Sequence, residues 1–279
     1  MRLTLFLMLA CFTSACGGES TSDPGERDER EQRQWRLPDR LREISGLALT
    51  DDERLFGIAD EEAIVYELDY AEGRLVKAFA LGDPVVLGDF EGLAYIQQRF
   101  WLMTSRGELY AAREGRDGEH LDYEKFDTGL EGECEFEGLA EVESRNTLAL
   151  LCKDAMKKRE LRVFEWSVDE RRLVNDGGFR LPTKDIEEAI GRKSVSPSGL
   201  VMHPQFGTWW VLAARQFALF ELDADGNLMG VIMMLDKERH RQAEGIEVTS
   251  NGRLLIADEG QNGSARLSVY EPEEGNNKN

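Results

Sequence analysis

Phe90-Glu91-Gly92-Leu93-Ala94 is one copy of a motif that recurs along the chain. Its other copies are Ile44-Ser45-Gly46-Leu47-Ala48, Phe136-Glu137-Gly138-Leu139-Ala140, Pro197-Ser198-Gly199-Leu200-Val201 and Ala243-Glu244-Gly245-Ile246-Glu247. The glycines fall at 46, 92, 138, 199 and 245, giving steps of 46, 46, 61 and 46 residues. A fixed step of this size marks a repeat architecture, in which each unit is one supersecondary element. Within each unit the motif is followed by a turn and a second apolar run, such as Trp101-Leu102-Met103 or Leu254-Leu255-Ile256-Ala257. A third run follows, as in Ala218-Leu219-Phe220-Glu221-Leu222, and a fourth, as in Leu75-Val76-Lys77-Ala78-Phe79. Four short strands in 40 to 50 residues is the pattern of a propeller blade. The expected fold is all-β: a five-bladed β-propeller of four-stranded blades over residues 35–272. After Gly245 only 34 residues remain, about a quarter short of a blade. The segment from Trp35 to Glu43 is expected to supply the missing strand and close the ring. The 15 surplus residues of the long step are too few for a sixth blade and suit a short helix near Asp185–Ile190, capped by Thr183.

The chain of 279 residues carries 34 Lys+Arg against 54 Asp+Glu, a formal net charge of -20. Such acidity argues against a nucleic-acid partner, which needs a basic face. Residues 1–15 read as a signal peptide: one early Arg, an apolar stretch from Leu3 to Phe12 too short to span a bilayer, then small residues. Thr13-Ser14-Ala15-Cys16 resembles a bacterial lipobox, with Thr13 departing from the usual Leu. The resemblance implies that Cys16 is lipidated and ties the protein to a membrane; an ordinary signal peptide cut near Ala15 is the alternative. Gly17 at the next position, where Asp would signal inner-membrane retention, implies an outer-membrane anchor facing the periplasm. Residues 16–34 are expected to be a flexible, solvated tether and residues 273–279 a disordered tail.

With Cys11 lost and Cys16 lipidated, Cys134 and Cys152 remain as an even pair in an oxidising compartment. They lie at the start of strand one and the end of strand two of one blade, which places them side by side as a disulfide. Two separate buried thiols are the alternative.

In a propeller the first strand of each blade lines the central channel, and its start lies beside the end of the second strand. The motif residues and Asp60, Asp89, Arg106, Lys153, Arg215, Gln242, Asp258 and Glu259 are therefore expected around one mouth of the channel. Residues two apart on a strand share a face, so Asp89 pairs with Glu91, Glu135 with Glu137 and Gln242 with Glu244. Glu91, Glu137 and Glu244 would converge on the axis, where three carboxylates cannot all stay ionised uncompensated. A hard cation such as calcium relieves the repulsion. Lys153 and Arg215 offer another relief, a mixed-charge floor, and hydrogen bonding of each Glu to backbone amides is a third. Asp223–Asn227 reads as a hairpin turn, His203 as a turn residue and His240 as a solvated loop residue, with reach to the channel mouth as its alternative. Trp101, Trp209 and Trp210 read as core.

Leu41-Arg42-Glu43-Ile44-Ser45-Gly46-Leu47, Asp89-Phe90-Glu91-Gly92-Leu93-Ala94, Phe136-Glu137-Gly138-Leu139, Cys152-Lys153, Pro197-Ser198-Gly199 with His203-Pro204, and Gln242-Ala243-Glu244-Gly245 together resemble the SdiA-regulated family, whose members resemble NHL-type propellers. The resemblance covers nearly the whole mature chain. It implies a five-bladed propeller with a bound calcium ion and no established activity, which favours calcium at Glu91, Glu137 and Glu244. Three functions follow in order: a calcium-stabilised module binding a ligand or envelope protein, a calcium-dependent hydrolase of esters, lactones or phosphoesters, and a structural scaffold. Against the hydrolase, lactonase-type propellers set Asn side chains around their metal, and no motif position here carries Asn.

Overall fold

The computed structural model describes residues 32–153 and 159–272. The expected signal peptide, Cys16, most of the tether and the C-terminal tail lie outside the described residues. Five antiparallel sheets form the five blades of one propeller. Blade one orders β2 (Ile44–Leu49), β3 (Leu55–Ala59), β4 (Ile64–Asp69) and β5 (Arg74–Leu81) from axis to rim. Blade two comprises β6 (Phe90–Ile96), β7 (Arg99–Thr104), β8 (Glu108–Ala112) and β10 (Glu124–Asp127); the two-residue β9 (His120–Leu121) pairs in parallel with β5 of blade one instead. Blade three runs β11 (Phe136–Val142), β12 (Thr147–Cys152) and β13 (Glu160–Ser167), with β14 (Arg172–Leu173) and β15 (Phe179–Pro182) sharing its outer edge. Blade four is β16 (Gly199–Met202), β17 (Trp209–Ala213), β18 (Ala218–Leu222) and β19 (Leu228–Met234).

Blade five joins both ends of the chain. Its inner strands β20 (Ala243–Val248), β21 (Leu254–Asp258) and β22 (Arg266–Tyr270) are completed by β1 (Gln32–Arg36), which pairs with β22. The ring thus closes through an N-terminal strand, as the short final unit demands. That strand begins at Gln32 and takes in three residues expected in the tether. The surplus of the long step holds α1 (Thr183–Ala189). Pro182 is its N-cap and no side chain caps it; Thr183 sits inside the first turn and donates from Oγ1 to Glu187 Oε1 at 2.8 Å.

The repeat exists because the innermost strands must nearly touch. A Cβ on Gly46 would lie 2.8 Å from the Leu93 amide nitrogen, one on Gly92 2.7 Å from that of Leu139, and one on Gly199 2.4 Å from the Glu244 carbonyl oxygen. On Gly245 it would meet the Leu47 side chain at 2.7 Å, so the contact passes back to blade one. Away from the axis, apolar faces of neighbouring blades pack into shared clusters. Phe56, Phe79, Phe90 and Phe100 join blades one and two, and Trp209 with Val211 and Phe220 meets Leu151 and Val163 of blade three. Trp101 and Trp210 are buried in the same way.

Gly92→Ala is expected to lower stability by about 2 kcal/mol in a urea titration, because the clash is with backbone that cannot yield. Gly230 in β19 has open space within 4 Å of where a Cβ would stand, and its φ is not positive. Gly230→Ala should change stability by less than about 0.5 kcal/mol in the same titration.

Candidate functional site at the channel mouth

The strict alternation expected for the motif strand is broken just where it matters. In β2, β6, β11 and β20 the register shifts between Ile44 and Gly46, Phe90 and Gly92, Phe136 and Gly138, and Ala243 and Gly245. The skipped residues are Ser45, Glu91, Glu137 and Glu244, so each occupies a β-bulge. A bulge leaves one residue unpaired and re-aims its side chain. Glu91, Glu137 and Glu244 thereby line one narrow cavity on the axis, of about 10 Å³, together with the motif glycines. The two serine copies show what the position does in its neutral form. Ser45 Oγ donates to the Phe90 carbonyl, and Ser198 Oγ to the Ala243 carbonyl, each at 2.7 Å and each reaching the next blade.

Burial dominates the electrostatics of the three carboxyls. It pushes Glu91 up to about 9, reinforced by the charges of Glu137, Asp89 and Glu244. It pushes Glu244 up to about 8, with Glu137 adding to the effect. Glu137 is also raised by burial, but the Lys153 ammonium pairs with it directly and opposes the rise. Burial would lower Lys153, yet its bonds to Glu137 and Glu135 hold it above the ordinary lysine value. Lys153 Nζ reaches Glu135 at 3.1 Å. The mixed-charge floor is therefore present on blade three, through Lys153 alone: Arg215 projects to solvent from a 3-10 turn at Ala214–Gln216.

Around this floor, Asp60 is pushed up to about 6 by burial and by Glu43, and Glu259 is raised by burial and the same neighbour. Glu259 accepts from Gln242 Nε2, which links it to the blade-five motif. Asp89 is exposed and accepts from Ser105, while Arg106 stands at the rim, 3.4 Å from Glu131. Asp258 is not at the open mouth. It is 2% exposed, and its Oδ2 lies 2.8 Å from His240 Nδ1. His240, expected in solvent, is buried as well, its Nε2 2.6 Å from the Tyr270 hydroxyl. Its amide donates to the Asp236 carbonyl, and the turn so formed brings the ring against Tyr270 of blade five. His203 does shape a turn: its Nδ1 accepts from the amides of Gln205 and Phe206. Asp223 Oδ1 likewise accepts from the amides of Asp225 and Asn227 in the β18–β19 hairpin.

Cys134 and Cys152 form a disulfide with Cα atoms 5.8 Å apart, on the blade that also carries Glu137 and Lys153. Among the described residues no three of His, Cys, Asp and Glu are arranged to share a metal ion. In kind the donors still suit a hard cation. Glu91 and Glu244 are carboxyls raised by burial and by like charge, a condition that a cation relieves, whereas Glu137 already has Lys153.

Two carboxylates that no repeat pattern picks out lie farther along the same strands. Glu247, 4% exposed, is pushed well above the ordinary range by burial and then by Glu141, although it accepts from the Val248 and Leu49 amides. Burial pushes Glu141 up to about 7, with Glu143 and Asp51 adding to it. Protons held by the folded state in this window are absent from the unfolded chain. Stability should therefore be highest below about pH 4.5 for this pair's contribution and fall as pH rises toward 7. Glu141→Gln is expected to flatten that decline and to raise stability at pH 8 relative to wild type by on the order of 1 kcal/mol, read from urea unfolding at pH 5 and pH 8.

Known proteins bear on this geometry in three ways. The SdiA-regulated family model matches residues 32–259. No curated protein matches the chain by sequence. Among solved structures, a luciferin-regenerating enzyme superposes with a TM-score of 0.55 at 9% identity, over 88% of this chain and 96% of that one. A glutaminyl cyclase from Myxococcus xanthus gives 0.55 at 15% identity, over 85% and 93%. A gluconolactonase from Xanthomonas campestris gives 0.50 at 14% identity, over 82% and 72%. At such identities the likeness is one of fold. Matched from its closing strand to the charged end of β21, the chain belongs to the SdiA-regulated family.

Proposed function

We propose that the protein is an envelope-anchored binding propeller, held through lipid on Cys16 at the periplasmic face of the outer membrane. Its channel mouth takes up calcium at Glu91 and Glu244 and presents the surrounding charged rim to a ligand or an envelope protein. The observation that carries this reading is the size of the axial cavity, about 10 Å³. That is room for roughly one water-sized particle and for no scissile group beside it. A bound calcium ion would supply charge compensation for these two carboxyls. The protein's own part is to hold Glu91 and Glu244 on separate blades, so that an ion between them ties blade two to blade five. Lys153 keeps Glu137 neutralised on the third side.

The hydrolase reading draws on the shared fold of a gluconolactonase. It requires a substrate oxygen to reach the metal, and the narrowness of the axial cavity argues against that. The scaffold reading leaves the charged rim without a use.

Calorimetry should detect calcium binding by the wild-type protein, weakened by at least about tenfold in Glu91→Gln and Glu244→Gln and less in Glu137→Gln. Ester, lactone or phosphoester turnover that disappears in the first two variants would instead establish the hydrolase. In a Gram-negative host, labelled palmitate should be incorporated into the wild type and sediment with outer membranes. Cys16→Ser should lose the label and appear in the soluble periplasmic fraction; a labelled Cys16→Ser protein would overturn the anchor.

A further inference from the structure

The outer edge of blade four differs from the other rims. Its last strand, β19, reads Leu228-Met229-Gly230-Val231-Ile232-Met233-Met234, seven residues without a charge in a chain that is 32% charged. The outer strands of the other blades carry charges: Arg36 in β1, Lys77 in β5, Lys125 in β10 and Arg180 in β15. Charged side chains on an edge keep it from joining another chain, and β19 lacks that protection. On its inner side it pairs with β18; among the described residues no strand pairs with its outer side. Leu228, Val231 and Met234 pack half-buried on the core cluster that holds Ile186 and Ile190 of α1, and Ile232 on the cluster shared with blade five. Both faces of the strand are thus in use, and the edge stays open. Met229, skipped by the ladder to β18, is 59% exposed.

Gly230 is an independent pointer to the same edge. A glycine inside a strand weakens it, and it commonly marks a bulge, a positive φ or the close approach of another backbone. Gly230 is itself paired, with Glu221, its φ is not positive, and nothing lies within 4 Å of where its Cβ would stand. Among the described residues nothing requires a glycine here. A second backbone passing close to the edge would.

We propose that β19 is where two copies of this chain meet, related by a two-fold axis through the middle of the strand. Such an axis runs the two strands antiparallel, so the start of each lies beside the end of the other. The turn before β19 carries Asp225 and the turn after it Lys237; both are exposed, and neither has an ion pair among the described residues. The axis sets Asp225 of each copy toward Lys237 of the other, twice per dimer. Two chains of net charge -20 repel over most of their surface, and a neutral strand with complementary ends is where they can touch. Residues 16–31 and 273–279 of the chain itself are too rich in charge to suit an apolar edge. The interface is independent of the calcium site and the lipid anchor proposed above.

Sedimentation of the Cys16→Ser protein, which keeps propeller and tether without lipid, should show a concentration-dependent doubling of mass. Met229→Lys and Gly230→Val should each weaken this association at least about tenfold, while unfolding in dilute solution at the wild-type urea midpoint. If Gly230→Val unfolds earlier, Met229→Lys, at an exposed position, carries the comparison. Asp225→Lys and Lys237→Asp should each weaken association about fivefold, and the double variant should recover most of the loss. A photo-cross-linker at Met229 of the full chain in cells should give an adduct of twice the chain's mass. A protein that stays monomeric at every concentration overturns the proposal, as does a dimer that Met229→Lys and Gly230→Val leave unchanged. Failure of the double variant to recover overturns the two-fold arrangement. Adducts to another protein, with none of doubled mass, overturn the choice of a second copy.

Discussion

The five strands close around the axis with a glycine at each nearest approach, and at four of them a side chain would collide with the next blade. The distances to a hypothetical Cβ, 2.4 to 2.8 Å at Gly199, Gly245, Gly92 and Gly46, are shorter than real contacts allow. Everything else about the ring follows from that closeness. It sets the repeat, because every blade must offer a glycine at the same depth. It also makes the residue just before the glycine the nearest group to the axis. Where that residue is serine, a short hydroxyl latches the next blade. Where it is glutamate, a longer acidic side chain enters a space with almost no solvent, and burial then outweighs every other influence on its proton.

The bulge is what makes the glutamates tolerable. In a regular strand, position 91 would point into the packed face between blades, where a carboxylate has no partner and water cannot follow. Leaving it unpaired in the ladder frees it to turn toward the axis. The remaining repulsion is met in two ways. On blade three Lys153, at the end of the neighbouring strand, supplies a fixed positive charge. On blades two and five the carboxyls instead keep their protons to higher pH. The asymmetry of the ring, with one glutamate paired to lysine and two held protonated, gives an otherwise repetitive architecture one distinct side.

How much of this could be read from the chain depended on whether a feature repeats. The blade count followed from glycines at a 46-residue step, and the closing strand from a final unit too short to be complete. The disulfide was legible because Cys134 and Cys152 occupy the two strand ends that the blade plan sets side by side. The bulges were not, since a two-against-one count leaves no mark in hydropathy; Ser45, Glu91, Glu137 and Glu244 look like ordinary alternating positions. Glu141 and Glu247 escaped notice for another reason: each occurs in one blade only, so self-similarity gives no hint of it. His240 and Asp258 were misplaced toward solvent and the open mouth because their burial depends on the 236–240 turn and on Tyr270 of a different strand.

The closing strand of blade five illustrates the same limit at longer range. Arg36 and Arg266 are 230 residues apart in sequence and become cross-strand neighbours only because the first strand closes the last blade. Ring closure in this protein is therefore more than a stabilising joint. It pairs, within one blade, side chains from the two ends of the chain, free of the constraint that every blade look alike. The facing guanidiniums of Arg36 and Arg266 are costly in a sheet that could have closed on neutral residues.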